Sequence, residues 1–109
     1  MMNESMENKT EISHINQIEN KIFTIRGVPV MIDRDLAEFY QVPTKRINEQ
    51  VKRNLSRFPE NFCFRLTREE MNQLVAFCDR FQMLKHSSSL PHAFSEQGVA
   101  MLSAVINNQ

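Results

Sequence analysis

The chain has 109 residues, 41% hydrophobic and 24% charged, which suits one globular domain with a small core. Thirteen basic residues balance thirteen acidic ones, which excludes a global polycation or polyanion. Any charged partner must therefore be sought in the local distribution, because screening confines a surface field to about 8–10 Å at cell-like salt.

Apolar runs are short, as in Val28–Ile32, so no segment is expected to cross a bilayer. The start, MMNESMENKTEISH, lacks the basic-then-apolar order of a secretory leader. Cys63 and Cys78 form no CxxC and sit among apolar neighbours, which fits reduced, buried thiols. A cytoplasmic protein without metal or cofactor is the expectation.

Residues 1–21 form a polar N-terminal segment. Ile12, Ile15, Ile18 and Ile22 recur at three- and four-residue steps, the spacing of a short amphipathic helix. The domain proper is expected over residues 22–109. It opens with KIFTIRGVPVMI, read as two strands joined by a tight turn at Arg26-Gly27, with Pro29 suggesting an edge strand. Asp33 reads as the N-cap of a helix, DRDLAEFYQ, with Asp35 in the first turn where a carboxylate meets the positive end of the helix dipole. Capping explains these acids more simply than a metal site of Asp33, Asp35 and Glu38.

After Val42-Pro43 a second helix is predicted from Thr44 to Leu55, stopping before Pro59. FCFRL, Phe62 to Leu66, reads as a strand. Thr67 and Glu70 form a capping box that opens a helix through about Asp79. Lys85–Pro91 reads as a loop, His92–Phe94 as a short strand, and Ser95 as the cap of a last helix, EQGVAMLSAVI. The order gives an α+β domain: an N-terminal hairpin, a helix-turn-helix-like pair, further short strands and two more helices. Because the last helix runs almost to residue 109, an N-terminal module of a longer protein is expected.

Charge is gathered on the second helix. Residues 1–25 carry four Glu against two Lys, net −2, whereas residues 26–68 carry nine basic against five acidic groups, net +4. On a wheel of 100° per residue, Ile47, Val51, Leu55 and Phe58 fall within about 80°, a stripe for the core. Lys45, Arg46, Lys52 and Arg53 lie on the opposite arc, with Glu49 among them. With only Gln41–Pro43 between the two helices, this is the pattern of a helix-turn-helix, in which the first helix braces a second that enters the major groove. Ala37 permits close approach, Val42 plugs the turn and Ile47 anchors the second helix. Gln41 stands where a left-handed residue is often needed and is expected to bear strain there, unless the turn is built without one.

The partner so implied is double-stranded DNA. Lys45, Arg46 and Glu49, near the helix start, are the candidate base readers. Lys52, Arg53 and Arg57 are the candidate phosphate grips. Asn48 joins the set as a side chain able to pair with adenine, as is Gln50, although both lie beside the apolar stripe. The plainer alternative is a solvated basic face, since Glu49 and Arg53 are spaced as a helix-stabilising pair. No enzyme is expected. His14, His86 and His92 fall in polar or loop segments, no GxSxG occurs, and Gly27 and Gly98 are too far apart to cradle a phosphate.

IRGVPVMIDRDLAEFYQVPTKRINEQVKRNLSRFPENFCFRLTREE, followed by LPHAFSEQGVAMLSAVIN, resembles the open-reading-frame-six N-terminal (ORF-six-N) domain, related to the KilA-N and Bro-N domains of phages and large DNA viruses. The resemblance spans about residues 23–109. It implies a phage- or prophage-derived α+β DNA-binding module with roles in transcription regulation, including antirepressor-like ones, and it brings no catalytic residues. Thr44–Asn54 matches the family's basic block. Gln41 departs from a frequent Gly, and His86 with three serines departs from a segment often basic in relatives. Two partner arrangements follow: a homodimer or a missing C-terminal region that sets the spacing of DNA sites, or an antirepressor-type module that turns the basic face on another phage or host regulator.

Overall fold

The computed structural model describes residues 21–106. The predicted helix on Ile12, Ile15 and Ile18 lies outside them. Ile22, its last member, is exposed just ahead of the first strand.

The hairpin forms as its turn residues dictate. Strands β1 (Phe23–Ile25) and β2 (Val28–Ile32) pair antiparallel. Arg26 and Gly27 both take left-handed φ, 57° and 74°. Positive φ at both central positions matches the right-handed twist of the flanking strands. Strand β3 (Cys63–Arg65) and strand β4 (His92–Ser95) complete a four-stranded antiparallel sheet in the order β1-β2-β4-β3. The edge-strand expectation for Pro29 is therefore corrected, because β2 is an inner strand. Pro29 is tolerated because β4 meets β2 only at Val30–Ile32. Its missing N–H faces no ladder partner on that side.

Side chains alternate across the sheet and split the core in two. Met31, Cys63 and Phe94 face helices α1 (Asp33–Tyr40), α2 (Thr44–Arg53) and α4 (Glu96–Ile106). Val30, Ile32, Phe64 and Ala93 face α3 (Arg68–Phe77) and a 3₁₀ turn over Asp79–Leu84, which buries Phe81 and Leu84. The molecule is thus a sheet between two helical layers, with α2 on one side and α3 on the other. Burial of Cys63 pushes its thiol up to about 12, so it stays protonated, while Cys78 is half-buried.

The Thr67–Glu70 capping box is present in full: Glu70 N–H donates to Thr67 Oγ1, and Thr67 N–H to Glu70 Oε1. The helix ends at Phe77 rather than about Asp79. The strand read as Phe62–Leu66 is shorter by the ladder, yet Ser95 N–H to Phe62 O (3.0 Å) and Leu66 N–H to Pro91 O (2.9 Å) extend its pairing to both expected ends. Asp33 is not a cap, which corrects that reading. Ile32 occupies the cap position without a side-chain bond, and Asp33, already helical, accepts from His92 N–H at 3.1 Å. Asp35 accepts two hydrogen bonds from Arg80, at 3.1 and 2.8 Å. Both acids do sit in the first turn of α1, as the dipole argument requires.

Arg26 also clamps the hairpin to α3. Its guanidinium donates to both Glu70 oxygens (2.8 and 3.0 Å) and lies 4.1 Å above the Phe64 ring. The hydrogen bond from Arg26, ahead of the smaller contributions, holds the Glu70 carboxyl down at about 2 against an ordinary 4.5. A depressed carboxyl stabilises the fold fully above its unfolded value and loses that contribution as pH falls towards its folded value. Arg26→Asn keeps a residue tolerant of positive φ but removes the clamp. The variant is expected to unfold at a higher pH in acid titrations followed by circular dichroism, with the difference in stability from wild type full and constant above about pH 4.5, shrinking as pH falls below that and closing near pH 2.

Candidate nucleic-acid interface

Helix α1 ends in a turn of three residues, Gln41–Pro43. Gln41 adopts φ 57° and ψ 45°, so the strained alternative is the one found. A left-handed non-glycine residue costs about 1 kcal/mol, and here the turn's hydrogen bonds offset it. Gln41 N–H reaches Glu38 O (3.1 Å) and Val42 N–H reaches Ala37 O (2.9 Å). Pro43, extended at φ −64°, then launches α2 at Thr44.

Behind α2 lies the brace that the sequence pattern predicted. Leu36, Ala37, Ile47 and Val51 are buried together, joined by Leu102, Val105 and Ile106 of α4, with half-buried Val42 against them. The helix stops two residues short of the expected end. The Asn54 amide donates back to Gln50 O at 2.9 Å, and Leu55–Arg57 tighten into a 3₁₀ turn. Leu55 consequently leaves the apolar stripe and is 68% exposed. Phe58 still reaches the core, edge-on to Phe94 with centroids 6.1 Å apart, through the turn rather than the wheel.

The outer face holds Lys45, Glu49, Lys52 and Arg53, all exposed, and Arg57 is exposed on the following 3₁₀ turn. Among the described residues the ion pairs are Lys21–Glu38, Arg26–Glu70, Arg80–Asp35 and His92–Asp33, so none involves a residue of this face. Arg46 is half-buried, and its Nε is out of solvent without a hydrogen-bond partner. Asn48 is half-buried too, with Oδ1 enclosed and unpartnered, and Gln50 is buried. The structure therefore brings Lys45, Glu49, Lys52 and Arg53 onto one surface and turns Asn48 aside.

Placement along the helix is informative. No acid stands in the first turn of α2, while Lys45 and Arg46 do. Cations there oppose the helix dipole, at roughly 0.3–1 kcal/mol each. Among the described residues neither cation has a carboxylate partner to offset that cost. Lys52 and Arg53, in the last turn, agree with the dipole and carry no such cost.

Asn48 lines a depression of about 300 Å³ beside the start of α2, together with Arg34, Thr44, Ser87 and Ser89. The sequence reading left Arg34 and the serines out of the site. Among the described residues Arg34 pairs with no carboxylate; its Nη2 lies 2.9 Å from Met83 Sδ. It is flanked in sequence by two acids, Asp33 and Asp35, which leaves no local excess of positive charge to single it out. The serines arrive from a segment some forty residues downstream, and no local pattern could have placed them there.

Against known proteins, residues 20–105 match the family model of the ORF6N domain, well over half of the chain. No curated protein matches the chain, and no solved structure does.

Proposed function

The chain belongs to the phage-associated ORF6N domain family, and on that premise we propose that it is a DNA-binding regulatory module whose helix α2 docks in the major groove of duplex DNA. One observation carries the reading: Lys45, Lys52 and Arg53 of α2 project together from an outer face, with no carboxylate among the described residues bound to them. The major groove admits a single helix. Lys45 and Glu49, near the helix start, meet base edges; Lys52, Arg53 and Arg57 meet phosphates. Helices α1 and α4 hold α2 rigid from behind, so little ordering entropy remains to oppose docking.

Selection of bound duplexes from a random pool, run beside a salt titration, tests this. Four or five phosphate contacts give a log–log slope of affinity against salt of about −4 per protomer. A flat salt response would sink the reading. So would absence of binding at any salt, which would instead point to a protein partner for the basic face.

A further inference from the structure

Glu49 is out of place on a face meant for a polyanion. It lies at the middle of the exposed arc, four positions from Lys45 and four from Arg53, where side chains of a helix are neighbours. Those spacings would allow an ion pair with either cation, yet among the described residues Glu49 forms none. Its carboxylate caps nothing, because the acid-free first turn ends before it. An exposed, unneutralised carboxylate facing phosphates weakens association unless it accepts a hydrogen bond that the duplex itself offers. In the major groove the free donors are amino groups, on cytosine N4 and adenine N6. A carboxylate, which only accepts, has no partner on guanine O6 or N7 or on thymine O4. Cytosine fits better than adenine: its N4 amino group is the lone polar group it shows in that groove, whereas adenine N7, beside N6, is an acceptor that repels the second carboxylate oxygen.

We propose that Glu49 is a specificity-determining residue that accepts a hydrogen bond from a cytosine amino group, so that the affinity supplied by the surrounding cations is realised on sites with cytosine at one fixed position. This rests on the docking of α2 described above. The carboxylate acts by exclusion as much as by attraction: opposite guanine or thymine it meets only acceptors, so mismatched sites are penalised by repulsion while phosphate contacts stay the same.

The test is duplex selection from a random pool with wild type, Glu49→Gln and Glu49→Ala, followed by affinities on the selected duplex and its three variants at the assigned position. Wild type is expected to favour cytosine there by about 5- to 100-fold. Glu49→Gln, which can both donate and accept, should shift the preference to adenine through paired bonds to N6 and N7. Glu49→Ala should level the four bases, binding the mismatched duplexes better than wild type does. A merely helix-stabilising Glu49 would leave base preference untouched in both variants. Unchanged preferences with DNA binding intact would overturn the assignment and spare the docking of α2. So would a uniform gain in affinity for all four duplexes in Glu49→Ala. Failure of wild type to bind DNA at all would remove both.

Discussion

Replacing Lys45, Lys52 and Arg53 together by Glu is expected to abolish binding to duplex DNA, lowering affinity more than a thousand-fold at physiological salt, while fold and Tm stay close to wild type. All three side chains are exposed and, among the described residues, none holds a carboxylate, so their reversal orphans no partner there. The dipole terms offset in part: Glu in place of Lys45 improves the first turn, whereas losing Lys52 and Arg53 worsens the last, each by roughly 0.3–1 kcal/mol, which leaves a small net loss of about one such term. Arg46 is left in place because it is half-buried and its loss would mix packing with charge. On the DNA side, the two phosphate contacts of Lys52 and Arg53 become repulsive, as does the base contact of Lys45, and the salt slope should collapse from about −4 towards zero.

A control elsewhere on the surface, with two reversals against three, separates the face from the net charge. Arg68 and Lys85 are exposed on the α3 layer, across the sheet from α2. Their reversal to Glu should change DNA affinity only a few-fold, because a surface field decays within about 10 Å. Equal losses in the two variants would mean that the protein attracts DNA by bulk charge, and native affinity in the α2 variant would remove this helix as the site.

What could be foreseen in the sequence was whatever is settled within a few residues. Arg26-Gly27 sets a hairpin because the turn itself requires positive φ, and Thr67-x-x-Glu70 opens a helix because both bonds close inside one turn. The brace of α2 was visible because Ala37, Val42 and Ile47 belong to one short unit. The misreadings have a common cause in distant partners. Asp33 satisfies every local criterion for a cap, yet its oxygen is taken by a backbone N–H 59 residues away. Asp35 does stand in the first turn as read, and what the sequence did not show is the arginine 45 residues away that holds it. Pro29 looked like an edge residue because nothing nearby says that β4 will pair beyond it. Leu55 fails for the opposite reason: the wheel assumes that the helix continues, and the Asn54 side chain ends it by bonding the Gln50 carbonyl. Within the candidate site, Lys45, Lys52 and Arg53 were legible because helical period alone exposes them. The place of Asn48 beside the apolar stripe was legible too, but its neighbours Ser87 and Ser89 were not.

Gly98→Ala separates the mount of α2 from its charged face. Gly98 is a buried residue of α4, and on propensity alone an alanine there should stabilise the helix by about 1 kcal/mol. The packing reverses that sign. A Cβ on Gly98 would overlap the carbonyl oxygen of Phe62 and stand 2.8 Å from its carbonyl carbon. Both are backbone atoms and are fixed from several directions. Ser95 N–H donates to Phe62 O at 3.0 Å, Ser95 Oγ donates to Asn61 O at 2.7 Å, and Gly98 N–H donates to that same hydroxyl at 3.3 Å. Relief would require α4 to lift off the Asn61–Phe62 segment, at about 3 kcal/mol or more. For a domain of this size that is a fall in Tm of more than about 10 °C by calorimetry. Gly27→Ala serves as the reference: its φ of 74° carries a conformational penalty of about 1 kcal/mol, but nothing stands within 4 Å of the added methyl. The ordering of the two losses therefore reports the contact itself. Because Leu102, Val105 and Ile106 of α4 back Ile47 and Val51, a shifted α4 should loosen the helix and weaken DNA binding together with Tm, whereas charge reversal on α2 weakens binding alone. A Gly98→Ala protein more stable than wild type would mean that α4 does not sit against Phe62, and the rigid mounting of the basic helix would go with it.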